Sequence, residues 1–291
     1  MALLAVLVAL NVLLLTIFRL FKTYEIHTFQ AIVFNYITCM TVGSLVLGEF
    51  PISAETVNEK WFSYAILLGI MFITGFNILG RTVQLFGVTL TSIAQKMSLV
   101  ITVCFTIFFF SESVNTLKIL GILAAVTSII LINIPKRGLD FGDVHLKKLW
   151  YMLFLTFLIS GLIETLLFYI EAMDISKSAD IGFVVTLFGI AAAIGAPIMI
   201  SGILMGKMKF QWKNIIAGIA LGIPNFFTIY LMLKMIDNGW EGSDLFPILN
   251  VSIILGAAII GLLIFREKLS KLQWIGFICG ILCIILIALS Q

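Results

Sequence analysis

Two ionisable side chains lie inside runs of apolar sequence. Lys96 sits within the stretch Val88 to Phe110, beside Gln95 and Ser98, and Glu164 sits within Leu149 to Ile170. A charge at the centre of a membrane helix costs on the order of 2.5 to 3.5 kcal/mol on insertion scales, so it faces a partner or a watery cavity. An ammonium there can hold an anionic group, and a carboxylate there can take up and release a proton. Lys96 is read as the group that attracts an anionic part of a substrate and Glu164 as the coupling group; the alternative is a buried Lys–Glu pair that only fixes packing. Counted along their helices, the two differ in depth by roughly 10 Å at ~1.5 Å per residue, so direct pairing needs reach from both side chains.

Amides and hydroxyls at span depth widen the set of candidates for a substrate cavity. They are Asn35 and Tyr36, Asn77, Gln95, Asn225 and Tyr230, and Asn250 and Ser252. Pro224 precedes Asn225, and Pro247 stands three residues before Asn250. A proline inside a span frees a backbone carbonyl, which is tolerated where it lines a cavity or is otherwise satisfied. Taken singly, each amide also has the plain reading of an interhelical hydrogen bond. Asn11 joins the set by alignment of the two halves: an offset of 153 matches Asn11 to Glu164, Gly69 to Gly222 and Arg81 to Lys234.

The elements that must carry these residues follow from composition. Of 291 residues 61% are hydrophobic and 11% charged, and the mean hydropathy is +1.17. Soluble domains are about half apolar, so the pattern predicts an all-α integral membrane protein. Spans of ~20 apolar residues divide the chain into ten transmembrane segments, with helices 3 and 4 placed at Trp61 to Leu85 and Val88 to Phe110. Trp61, Trp150, Trp212, Trp240 and Trp274 all fall near segment edges, where amphipathic rings prefer the headgroup level. The cysteines Cys39, Cys104, Cys279 and Cys283 lie inside spans and read as small apolar residues. His27 and His145 stand in separate loops, and no metal site or other cofactor is expected. No phosphate-binding loop of the Gly-xxxx-Gly-Lys-Ser/Thr kind occurs.

The chain is also duplicated. Phe110-Ser111-Glu112 is followed nine residues later by Gly121, and Phe265-Arg266-Glu267 nine residues later by Gly276. The halves divide as 1–135, a linking loop 136–148, and 149–291. Gly276 and Gly280 make a Gly-xxx-Gly in helix 10, matched by Gly121 and Ala125 in helix 5, a spacing that lets backbones approach closely. Glu112 and Glu267 stand just before helices 5 and 10, where the positive end of a helix dipole favours a carboxylate.

Two copies of this signature in a chain of this length resemble the ten-helix drug/metabolite transporter superfamily, the EamA-type permeases, over the whole sequence. The resemblance implies two inverted five-helix repeats, with helices 1 to 4 and 6 to 9 around a cavity and 5 and 10 outside it. It implies transport of a small polar or amphipathic metabolite or drug. The small multidrug resistance branch carries a membrane glutamate in its first helix; here only Glu164 among the paired positions keeps a carboxylate. That leaves a proton as the candidate coupling ion.

Charge sets an expectation for orientation. The connections after helices 1, 3, 5, 7 and 9 hold 13 Lys and Arg and those after helices 2, 4, 6 and 8 hold four, which puts both termini outside a plasma or inner membrane by the positive-inside rule. The superfamily is generally drawn with termini in the cytoplasm. A secondary transporter, monomeric or weakly self-associating, is the favoured class, with the lipid bilayer and a small-molecule substrate as partners and no nucleic acid. The alternatives are a structural or assembly membrane protein and a membrane enzyme, although the spans offer no nucleophile and base for the latter.

Overall fold

Backbone groups in hydrocarbon have no water to bond, so a long apolar run must satisfy them within itself, and a helix does so. A computed structural model of the chain describes residues 2–53, 55–133, 151–176, 180–263 and 270–290, and among these every regular element is helical. In chain order they are α1 (Ala2–Thr23), α2 (Thr28–Leu47), α3 (Phe62–Met97), α4 (Leu99–Phe110), α5 (Thr116–Asn133), α6 (Tyr151–Ala172), α7 (Ile181–Leu204), α8 (Trp212–Asp237), α9 (Gly242–Leu263) and α10 (Lys271–Ala288), with a 3-10 turn at Glu55–Asn58. Among the described residues seven helices are long and apolar enough to cross a membrane, and the apolar stretches Ala2–Phe18, Ala94–Phe110 and Thr116–Ile132 are shorter. This is the make-up of a multi-pass membrane protein. The linking loop 136–148 and Glu267 lie outside the described residues.

Local chemistry explains where several helices stop and start. Gly48 takes the left-handed conformation (φ 84°) after α2 and returns its N–H to Ser44 O, a conformation glycine adopts without a Cβ clash. Asp180 caps α7 by accepting from Gly182 N at 2.7 Å. Ser270 and Gln273 cap α10 reciprocally, which satisfies two backbone donors of its first turn.

One boundary differs from the sequence expectation. The break placed between Leu85 and Val88 is absent: α3 runs unbroken from Phe62 to Met97. Gly87 supplies no cap and no proline, and interrupting a helix there would strand backbone groups in apolar surroundings. The interruption falls instead at Ser98, whose N–H and hydroxyl both turn back to Gln95 O at 3.3 and 2.5 Å while Ile101 N bonds Ser98 O at 2.9 Å. These are the tight three-residue bonds of a 3-10 turn, which in mid-helix often marks a functional hinge.

The chain packs as two compact units, each drawing on both halves of the sequence. The first comprises Met1–Asn77 and Leu166–Asn238. In it α2 packs on α7 and α8, and α1 packs on α8. Close approach of α2 and α8 depends on glycine: a Cβ at Gly222 would stand 2.5 Å from Thr38 Cβ and 2.7 Å from Asn35 O. The second unit comprises Ile78–Thr165 and Gly239–Gln291. There α5 packs along α10, and α9 packs on α4, α5 and α10. Gly121, Gly276 and Gly280 sit at these contacts, where an added Cβ would meet Ile287 Cγ1 at 2.6 Å, Ile132 N at 2.8 Å and Ser128 Oγ at 2.8 Å respectively. Small residues therefore set the spacing of both helix pairs.

Candidate functional site

The second unit holds a polar centre at the joint of α3 and α4. Because α3 continues to Met97, Lys96 falls in its last turn, where the negative end of the helix dipole favours a cation, rather than one third of the way into a fourth helix. Its Nζ donates to Asn250 Oδ1 at 3.0 Å. The Asn250 amide is oriented by its own Nδ2, which donates to Phe246 O at 3.1 Å, so the oxygen is left to face the ammonium. Ser252 lies two residues further along α9.

Glu164 reaches the same region from α6. That helix is pressed against the Ser98 turn through Gly161, where a Cβ would meet Ile101 Cδ1 at 2.7 Å and Ser98 O at 3.1 Å. Two hydroxyls fasten the contact: Thr102 Oγ1 donates to Gly161 O at 3.4 Å, and Thr165 Oγ1 donates to Thr102 Oγ1 at 3.2 Å. Glu164, between Gly161 and Thr165, is close enough for its charge and that of Lys96 to act on each other. Its Oε2 is buried without a hydrogen-bond partner among the described residues. A buried polar atom in that position costs on the order of 1 to 3 kcal/mol, more for a charged group, so it calls for an explanation such as a functional role or a bound water or ion. Lys96, Asn250 and Glu164 therefore make one constellation: a donor, an acceptor that holds it, and an open carboxylate oxygen.

The other candidates sort by unit. Asn35, Tyr36, Asn225 and Tyr230 belong to the first. Asn225 Nδ2 donates to Asn35 Oδ1 at 3.2 Å, and the Cys39 thiol donates to Gly222 O at 3.3 Å. This is the interhelical bonding that joins α2 to α8. Asn35 Nδ2 and the Tyr36 hydroxyl are buried without hydrogen-bond partners among the described residues, and the Tyr36 ring is enclosed by Phe72, Phe76 and Phe188. Tyr230 stacks on Phe226 at 6.1 Å. Asn11 and Asn77 donate their amides to carbonyls of their own helices, Leu7 O and Ile73 O, both at 2.8 Å. Gln95 contributes its carbonyl to the Ser98 turn.

Glu112 serves a helix other than the one it precedes. Its two carboxylate oxygens accept from Gly242 N at 2.7 Å and Ser243 N at 2.9 Å, so it caps α9; α5 is capped by Asn115, whose Oδ1 accepts from Lys118 N at 2.8 Å. The dipole attraction is the one the sequence invoked, acting across space. Beside it lies a cluster the sequence treated as loop charge. Lys118, 2% exposed, pairs with Glu241 at 2.5 Å and Asp244 at 3.1 Å and donates to Ser243 Oγ at 3.1 Å. The available signal was a lysine in the first turn of an apolar helix, where a free buried ammonium would be costly. Among the described residues no group of three or more His, Cys, Asp or Glu is arranged to hold a metal.

No family model matches the chain. An uncharacterised protein of Haemophilus influenzae is 28% identical over 285 residues, covering 93% of this chain and 90% of that protein. A solved structure, titled only as a crystal structure of a protein, superposes with a TM-score of 0.76 over 99% of this chain and 96% of its own at 13% identity. That likeness concerns the fold.

Proposed function

We propose that this chain is a secondary transporter of the EamA-type drug/metabolite superfamily, with ten transmembrane helices in two inverted five-helix repeats, moving a small polar or amphipathic solute by alternating access. The observation that carries the proposal is the constellation of Lys96, Asn250 and Glu164, drawn from three helices that are mostly apolar. Three polar groups from three helices, one of them with an unpartnered buried oxygen, are poor structural cement. They are good solute ligands. The helix interruption at Ser98, two residues from Lys96, supports the same reading, because interrupted helices form the solute sites of many secondary transporters. The duplication of the sequence supports the repeats, and an odd number of spans per repeat inverts the second copy. Glu164 is the candidate proton site, and a gradient supplies the energy.

The test is flux. Purified protein reconstituted in liposomes is offered a mixture of cellular metabolites, and solutes accumulated against a pH gradient are identified by mass spectrometry. Accumulation by wild type that disappears in Lys96→Met, with both proteins equally reconstituted, supports the proposal. Equal retention by protein-free and protein-containing vesicles across the mixture counts against it.

A further inference from the structure

The turn between α7 and α8 carries Lys207 and Lys209, with Lys213 at the start of α8, and no acid stands between Met205 and Lys213. Lys213 Nζ donates to Tyr24 O at 2.9 Å. Lys207 and Lys209 are exposed, and among the described residues neither ammonium has an ion-pair or hydrogen-bond partner. Glu25, the acid on the neighbouring α1–α2 turn, is exposed and pairs with neither. Free surface lysines are ordinarily just solvated, but here the backbone beneath them is fastened. Gly206, at φ 70°, turns the chain, and Lys207 N and Met208 N both donate to Gly202 O at 2.9 and 3.0 Å. Lys209 O accepts from Gln30 Nε2 at 3.0 Å, Gln30 Oε1 from Asn214 Nδ2 at 2.8 Å, and Asn214 Oδ1 from His27 N at 3.0 Å. Gln30 and Asn214 are fully buried. The two ammonium groups therefore project from a turn of fixed position, and a ligand that takes both loses little to ordering the backbone.

Beyond the lysines α8 presents an apolar stripe. Trp212, Ile216, Ile219 and Ile223 follow the spacing of one helix face, and all four are exposed, Trp212 by 74% and Ile216 by 69%. The face that packs on α2 is a different one, marked by Gly218 and Gly222. From Trp212 to Ile223 is about 16 Å at ~1.5 Å per residue, the depth of one leaflet in a hydrocarbon core ~30 Å thick. Phe210 meets Trp212 edge to face at 5.5 Å, and both rings are exposed at the level where the lysines begin. Such rings belong at the headgroup boundary. Cations at the top, aromatic rings at the boundary and an apolar strip one leaflet long match one kind of molecule.

We infer that the α7–α8 turn is a binding site for an anionic phospholipid, its phosphate held by Lys207 and Lys209 and an acyl chain laid along Trp212, Ile216, Ile219 and Ile223. Basic residues beside a membrane each add to the attraction for anionic lipid. A zwitterionic lipid brings its own cation to its phosphate and so gains less from two ammonium groups, and a free phosphate gains nothing from the stripe. The inference concerns a lipid partner and not the solute, so it stands or falls apart from the transport reading. In the test, the full-length protein in detergent is exchanged with palmitoyl-oleoyl phosphatidylglycerol and phosphatidylcholine at equal concentrations. Retained lipid is read by native mass spectrometry, and melting temperature is measured in parallel with each lipid and with glycerol phosphate.

The expected result is preferential retention of phosphatidylglycerol and a larger rise in melting temperature with it. Lys207→Gln/Lys209→Gln should weaken phosphatidylglycerol binding by on the order of tenfold or more and bring it level with phosphatidylcholine, while Lys207→Arg/Lys209→Arg keeps the preference. Lys60→Gln/Lys234→Gln removes the same charge from the approach to α3 and the last turn of α8 and should also keep it. Equal retention of the two lipids by the wild type overturns the inference, a result that does not depend on any variant folding. It is overturned as well if Lys207→Gln/Lys209→Gln retains the preference, or if Lys60→Gln/Lys234→Gln loses it to the same extent, since net charge and not this turn would then select the lipid. A rise in melting temperature with glycerol phosphate as large as that with phosphatidylglycerol would assign the turn to a free phosphate ester instead.

Discussion

At the scale of single residues, Lys96 is held by an amide and not by an acid, and this has a testable consequence. Lys96→Met removes the ammonium that Asn250 holds, so flux should fall by on the order of tenfold, the effect of ~1.4 kcal/mol of lost binding, while melting temperature stays near wild type. Lys96→Arg should not restore it, because a planar forked guanidinium does not replace a compact ammonium. Asn250→Asp is the sharper experiment. It exchanges a weak acceptor at 3.0 Å for a charged one, which should hold Lys96 in place and slow flux while leaving or raising stability. Faster flux in Asn250→Asp, measured in the same liposomes, would show that Lys96 does not have to release Asn250 to work. Should Lys96→Met unfold the protein and Lys96→Met/Glu164→Leu restore it, Lys96 and Glu164 are packing charges.

At the scale of elements, the charged cluster that joins the α4–α5 turn to the start of α9 makes a graded prediction. Lys118→Met removes the cation that buried Asp244, 6% exposed, pairs with, and should lower the melting temperature more than any other change in the cluster, since breaking a buried pair costs ~3 to 5 kcal/mol. Glu241→Gln should cost much less: Glu241 is 38% exposed, and water compensates exposed pairs to within ~1 kcal/mol. Glu112→Ala removes both acceptors of the α9 cap, a loss of ~0.5 to 2 kcal/mol by the measure of ordinary caps. Thermal unfolding in detergent ranks the three. Equal losses for Lys118→Met and Glu241→Gln would mean that burial does not govern this cluster.

For the whole molecule the open quantity is orientation. Lys209 O accepts from Gln30 Nε2 at 3.0 Å, which puts the α7–α8 turn, with Lys207 and Lys209, and Lys213 at the start of α8, at the starting end of α2. The 3-10 turn at Glu55–Asn58 follows the other end of α2, beside Glu49 and Glu59. The 20 residues of α2 separate these ends by about 30 Å, the thickness of a bilayer core. The positive-inside rule then assigns the Lys209 end to the cytoplasm. In a background lacking the four natural cysteines, a cysteine at Lys209 should be shielded from an impermeant thiol reagent in intact cells, and one at Glu55 should be labelled. The reverse pattern would invert the protein in the membrane.

Composition and apolar run length were enough, without coordinates, to establish a chain of membrane-length helices, because hydrocarbon leaves a backbone so few alternatives. The duplicated glutamates and glycines were legible for a similar reason: each is a short pattern in one dimension. Which residues meet was not legible. Lys96 and Asn250 are 154 positions apart, and Glu112 caps a helix 130 positions away, and a sequence carries no record of such distances. The helix boundary at Ser98 was hidden too, since a glycine at 87 signals a break more loudly than a serine that bonds its own turn. Tertiary structure decided which polar residues are satisfied at home, as Asn11 and Asn77 are, and which are left open, as the Glu164 oxygen is. That difference depends on what the neighbouring helix brings within about 3 Å, the range over which a hydrogen bond acts.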